Sequence, residues 1–229
     1  MKRLAALGAT IGSAALLAGC MHAHEGPTIK EEWLARVPPA RMAPVEESRS
    51  SMRSAMDEHN RASAALTDAK NQADVARAER DTADSRVAAA EAEVRAAKDT
   101  GEGSRLKRSH AVLDQAKEAK KVADAKVDLA DANVKTASTK NDLAKARVAT
   151  KQAEVNQAEY QVLAQNGDTR VKNMRPAEFE AAISSRKANE SKLEAQLAND
   201  QQAAASARKK WNDERAKLQA SKPATPPAG

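Results

Sequence analysis

Ala83-Asp84-Ser85-Arg86-Val87-Ala88-Ala89-Ala90-Glu91-Ala92-Glu93-Val94-Arg95-Ala96-Ala97-Lys98-Asp99-Thr100-Gly101-Glu102-Gly103-Ser104 decides the fold. Its first part closes a series in which alanine recurs every seven residues, at Ala55, Ala62, Ala69, Ala76, Ala83, Ala90 and Ala97. A sustained seven-residue apolar repeat is the seam of a coiled coil. Three residues before each alanine stand Met52, His59, Leu66, Ala73, Arg80, Val87 and Val94, on average the larger set; these are written as a positions and the alanines as d. The glycine-rich stretch 99–104 breaks the helix, and the repeat then resumes. Leu106, Leu113, Lys120, Val127, Val134, Asn141, Val148, Val155 and Val162 stand at a; Ser109, Ala116, Ala123, Ala130, Ala137, Ala144, Lys151 and Ala158 stand at d.

An antiparallel pairing sets each a residue opposite a d residue. Here the partners' numbers add to 203 in every layer, as in Leu66 with Ala137, Ala69 with Val134 and Val87 with Ala116. Half of that sum falls between Gly101 and Glu102, so the phase of the repeat and the position of the breaker agree on one hairpin. Large faces small in nearly every layer, as close packing requires.

A third helix is expected after Asn166-Gly167, from Pro176, a favoured first-turn residue, to about Ala220. Its a set is Ile183, Glu190, Leu197, Ala204, Trp211 and Leu218, and its d set is Phe179, Arg186, Leu193, Asp200, Ala207 and Glu214. Folding it onto the same a/d stripe of the second helix gives pairs whose numbers add to 341, such as Val162 with Phe179 and Ala144 with Leu197. In that register Lys151 meets Glu190 and Asn141 meets Asp200, polar seam residues that would fix register at some cost in stability.

The expected fold is all-α: a long antiparallel coiled coil, an up-down-up three-helix bundle with a projecting two-helix hairpin. The helices span about 44–98, 104–165 and 176–220, with the 99–104 turn at the far end. Arg80 and Lys120 fall where the third helix stops. They read either as snorkelling cations that complement its negative end or as a dock for an acidic partner, with the structural reading favoured. An alanine seam buries little, about 0.8 kcal/mol per methyl against roughly 1.5–3 for a leucine or valine. The bare hairpin should therefore be marginal alone, which points to self-association or a helical protein partner.

The chain begins with Met1-Lys2-Arg3 and the apolar run Leu4–Leu17, too short to span a bilayer and laid out as an export signal. Leu17-Ala18-Gly19-Cys20 follows, and Cys20 is the chain's one cysteine. Residues 1–21 resemble the lipobox signal of bacterial lipoproteins. That resemblance implies cleavage of 1–19, acylation of Cys20 and a membrane-lipid anchor. Met21 after the cysteine implies, by analogy with enterobacterial lipoproteins, the outer membrane, with the chain facing the periplasm. Residues 20–43, interrupted by Pro27, Pro38 and Pro39, read as a flexible tether. Within it Thr28-Ile29-Lys30-Glu31 has the form of a capping box opening a short turn that carries Ile29, Trp33 and Leu34. Trp33 would sit either among lipid headgroups or against neighbouring helices. His22 and His24 lack the further ligands a metal site needs. Residues 221–229, Pro-rich, read as a disordered tail.

Composition excludes more than it names. With 2% aromatic residues a conventional globular core is not expected. The net charge of +6 falls to 6 − 2 = +4 once Lys2 and Arg3 are removed, and its interspersed signs read as solvated helix faces rather than a nucleic-acid surface. No enzyme is expected and no cofactor or metal: His59 and His110 are out of register with each other, no serine or carboxylate pair is set to activate a nucleophile, and Gly101-Glu102-Gly103 is a turn. The expectation is an envelope lipoprotein acting as a spacer, tether or scaffold. The alternative is an accessory subunit of an export or efflux assembly. The hairpin is similar to those of tripartite-efflux adaptors, although their flanking β-rich domains have no counterpart here. Such a subunit would dock through Arg105, Lys107 and Arg108 beside the turn. The chain ends in Ala-Gly rather than the terminal lysine by which the major coiled-coil lipoprotein of enterobacteria joins peptidoglycan, which leaves non-covalent wall contact as the form such an interaction would take.

Overall fold

The seven-residue repeats fold as an all-α, up-down-up bundle. The computed structural model describes residues 26–221. Short α1 (Glu31–Leu34) precedes three long helices, α2 (Ala43–Thr100), α3 (Gly103–Gln165) and α4 (Pro176–Ala220), with 3-10 turns at Pro39–Arg41 and Thr169–Val171. Residues 1–19, Cys20, His22, His24 and the tail after Ser221 lie outside the described residues.

α2 carries its seam as its sequence dictates. From Met52 to Ala97 the a and d residues are buried or half-buried and every other position is exposed. Antiparallel pairing with α3 gathers Ala73, Ala76 and Ala130 with Val127 and Val134 in one apolar cluster, and Ala90, Val94 and Leu113 with Val87, Leu106 and Ala116 in another. Ala76 with Val127 and Val87 with Ala116 obey the sum of 203. The reversal is tighter than the six-residue breaker: only Gly101 and Glu102 separate the helices. Gly101 takes φ 71°, a left-handed cap that glycine adopts without steric cost, and its N–H donates to the Lys98 carbonyl.

α4 also buries its a/d residues, with Ala182 added, between Phe179 and Leu218. Its partner stripe on α3 differs from the expected one. α2 and α4 each pack along α3 and not along one another. The α3 stripe that takes α4 includes Ala125, Thr139, Leu143, Thr150 and Ala153, buried at the heptad c and f positions. At 3.6 residues per turn this stripe lies about 160° around α3 from its a/d stripe. Tyr160 stacks on Phe179 with ring centroids 4.8 Å apart, and the Thr139 hydroxyl donates to Asp200 Oδ2 at 2.7 Å. Both pairs add to 339, not 341. The physical reason is occupancy: α2 already fills the a/d stripe of α3, so α4 takes the free one.

The expected seam pairs consequently do not form. Lys151 Nζ contacts Glu154 Oε2 at 2.7 Å instead of Glu190, and Asp200 is served by Thr139 and Lys135 instead of Asn141. Asn141 and Lys151 lie in the stripe that faces α2, and Glu190 and Asp200 face the opposite one.

The register places Ala220 beside residue 119 of α3, since 339 − 220 = 119. Beyond it α2 and α3 continue alone for about 25 Å at 1.5 Å per residue.

At the other end, residues 26–42 do not form a flexible tether. Leu34 (6% exposed) and Val37 (7%) are buried with Val45, Ala158, Val162, Leu163 and Val171, and Ile29, Trp33, Met42, Tyr160 and Met174 pack around them. Apolar residues in that segment had a groove to fill between helix ends, and burying them outweighs chain freedom. The capping box is likewise absent: α1 starts at Glu31 with Lys30 as its cap residue, and no side chain caps it.

Candidate functional site

The base of the rod is built by convergence of α1, the start of α2, the end of α3 and the 166–175 loop. Gly167 turns at φ 73°, and the Asp168 N–H donates to the Leu163 carbonyl, closing the end of α3. Asp168 Oδ1 accepts from the backbone N–H of Arg170, and the Arg170 guanidinium clasps the same carboxylate. Those bonds hold the Asp168 carboxyl down at about 2. Arg170 then reaches α1, donating to the Trp33 carbonyl at 3.2 Å and lying 5.3 Å above the Trp33 ring. Of the two settings weighed for Trp33, the structure gives packing at the base. Arg41 donates to the Gln165 carbonyl and to Asn166 Oδ1, covering the open carbonyl end of α3.

Glu159 is the buried charge of this end. Its side chain is 7% exposed and pairs with Arg49 at 2.9 Å, which also approaches Glu31. Burial pushes the Glu159 carboxyl up from its ordinary value, against the pull of Arg49. Next along α3, Glu154 shows the opposite balance: burial opposes ionisation, and Lys151 and Lys187 together outweigh it, so the carboxyl is lowered.

The remaining seam residues are distributed as follows. Asp200 is 3% exposed and bonded by Thr139 and by Lys135 Nζ at 3.0 Å; the Thr139 bond first and the Lys135 bond second lower its carboxyl. Asn141 Oδ1 and Glu190 Oε1 are buried with no hydrogen-bond partner. Arg80 pairs with Asp81, while Lys120 pairs with Asp84 at 2.6 Å and with Asp124. These cations carry their own acids.

At the free end, Arg105 crosses the hairpin to Glu93 at 2.9 Å, whereas Lys107 and Arg108 are exposed. Arg105, Lys107 and Arg108 thus do not form a single free basic patch.

A shallow groove runs beside the α2–α3 seam on the edge where the g positions meet. Glu79–Lys126 and Arg105–Glu93 bridge this edge. One stretch is lined by Ala69, Val75, Ala76, Leu129 and Ala130; two heptads further on, a second is lined by Ala89, Ala90, Val112, Ala116 and Ala119. Val75 (57% exposed) and Val112 (55%) lie in it, and with Met56 they are the large apolar side chains most open to solvent among the described residues. The a/d reading of the sequence did not single out either valine. The signal was there: Val75 and Val112 stand at c and g, beside the alanines of the seam.

Among the described residues no helix is long and apolar enough to cross a membrane, and no group of three or more His, Cys, Asp or Glu is placed to hold a metal ion. Comparison with protein-family models, with curated proteins and with solved structures finds no match.

Proposed function

We propose that this chain is a non-enzymatic lipoprotein of a bacterial envelope, anchored through acylated Cys20 in the outer membrane and serving as a spacer, tether or scaffold in the periplasm. One observation carries the reading: the fold has a near end and a far end. Gly26 lies so close to α4 that a Cβ there would come 2.7 Å from Ala182 Cβ, close to the base. It is six positions from Cys20, at most about 22 Å of chain. α3, with its 63 residues, carries the turn about 95 Å from the base. A lipid on Cys20 would therefore stand at the base, and the bare hairpin would point away from the membrane. Non-covalent contact with peptidoglycan fits a rod of that reach.

Metabolic labelling with a palmitate analogue tests the anchor: label on the wild-type chain and none on Cys20→Ala supports it, and equal label on both refutes it. The spacer role predicts loss of function when whole heptads are removed from α2 and α3 in matched pairs.

The exposed Lys107 and Arg108 favour one second reading, an accessory subunit of an export or efflux assembly that docks through the tip. Charge reversal at these two residues and Arg105 would abolish function under that reading and spare a spacer.

A further inference from the structure

The two stretches that close the base, residues 35–44 and 164–175, hold Arg36, Arg41, Arg170, Lys172 and Arg175 against one acid, Asp168, a balance of 5 − 1 = +4. Residues 26–221 carry 35 cations and 31 acids in all, so the rest of the described residues balance at 30 against 30. All five cations of the base are exposed. Two are answered locally, Arg170 by Asp168 and Arg175 by Glu178 in the first turn of α4. Arg41 rests on neutral oxygens, the Gln165 carbonyl and Asn166 Oδ1, and keeps its charge. Arg36 stands near Asp168, which Arg170 already clasps, and Lys172 has no ion pair among the described residues. The nearest other acids stand behind this face: Glu46 and Glu47 about a turn into α2, Glu178 and Glu180 in the opening turns of α4, and Glu31 drawn to Arg49. Glu32 stays within reach of Arg170.

We propose that this end of the rod is a membrane-contact surface that seats on the anionic phosphate headgroups of the bilayer. The inference rests on the anchor reading, which puts a lipid at most about 22 Å of chain from Gly26. Attraction between basic side chains and an anionic bilayer falls off within a Debye length, about 8–10 Å, so charges on the end face count for more than those a turn or two behind it. The surface is a diffuse one: guanidinium and ammonium groups spread over the ends of three helices meet many headgroups and enclose no single phosphate. It deepens the spacer reading. A lipid on a short link fixes where the rod stands and not its angle. A basic end face seated on headgroups fixes the angle as well and holds the α2–α3 hairpin off the membrane, which a spacer requires.

The test floats the mature chain, residues 20–229 with Cys20→Ala so that no acyl chain contributes, on vesicles of phosphatidylethanolamine with phosphatidylglycerol. Binding is expected at low salt, falling as ionic strength rises, and absent on phosphatidylcholine alone. Inorganic phosphate at matched ionic strength should not compete. Arg36→Glu with Lys172→Glu should weaken binding at least tenfold with helicity unchanged. Arg208→Glu with Lys209→Glu, an equal reversal at exposed positions of α4, should change it less than twofold. In the acylated chain in intact membranes, a photoreactive residue in place of Ala40 should capture phospholipid, and one in place of Thr100 should not. No binding, equal binding to neutral vesicles, competition by inorganic phosphate, equal losses from the basal and α4 variants, or phospholipid captured at Thr100 rather than Ala40 overturns the proposal. Failure of palmitate labelling with vesicle binding intact strikes the anchor alone, and labelling without vesicle binding strikes the surface alone.

Discussion

Asp200 allows the register of α4 on α3 to be measured as an energy. Its side chain is 3% exposed, accepts from Thr139 at 2.7 Å and pairs with Lys135 at 3.0 Å. Hydrogen bonds to a charged group contribute about 1.5–3 kcal/mol, so a double-mutant cycle of Thr139→Val with Asp200→Ala should give a coupling in that range. The sequence-based register, with pairs adding to 341, joins Asp200 to Asn141. In the observed register Asn141 faces α2, and the cycle of Asn141→Ala with Asp200→Ala should be additive within about 0.5 kcal/mol. Urea unfolding followed by far-UV circular dichroism at neutral pH measures both cycles. A pH series adds a signed check. The folded-state carboxyl is lowered below its ordinary 3.8 by Thr139 first and Lys135 second. Its contribution is therefore present above the unfolded value and is lost as pH falls from about 3.8 through the lower folded value. Thr139→Val should shrink that acid-dependent part of the wild-type stability. An Asn141 coupling equal to or larger than the Thr139 coupling would refute the register.

Four further outcomes are expected. Gly26→Ala would press a methyl against Ala182 and should undock residues 26–42 at a cost of about 1–3 kcal/mol; hydrogen exchange should rise at Leu34 and Val37 while α2 and α3 stay protected. Gly101→Ala meets no atom within 4 Å but must hold φ near 71°, so thermal melting should show a loss of about 1 kcal/mol. Phe179→Ala, from a site 2% exposed, should cost about 3–5 kcal/mol in urea unfolding and abolish the ring-current shifts of Tyr160. Asp168, held at about 2 by Arg170, supports the loop above the ordinary carboxylate value, and that support is lost as pH falls from about 3.8 towards 2. In Asp168→Asn, the protection of the 168–174 amides relative to their intrinsic exchange rates should lose its pH dependence in that interval.

The α2–α3 hairpin was legible because heptad phase and turn position are two independent records of one geometry. The residues α4 would bury were legible for the same reason. Which face of α3 receives α4 was not read, although α3 carries a second small-residue stripe through Val122, Ala125, Leu129, Ala132, Thr136, Thr139, Leu143, Ala146, Thr150 and Ala153. A heptad template assigns one seam per helix, and a central helix needs two. The docking of Leu34 and Val37 escaped because four prolines in 27–44 suggest an extended chain, and no periodicity announces a groove formed only when helix ends meet. The pairing of Arg105 with Glu93 depends on edge positions across the turn, which the seam reading did not follow.

Because α2 and α4 pack chiefly on α3 rather than on one another, the molecule has two zippers on one spine. α4 can open locally from its C-terminal end without breaking a layer between α2 and α3, so amide exchange is expected to be fastest in its last turns. Thr139, Asp200 and the Tyr160–Phe179 stack resist the peel in turn from the far end to the base. Toward the 101–102 turn an axial load is carried by α2 and α3 alone, and α4 splints only the basal two-thirds or so of α3.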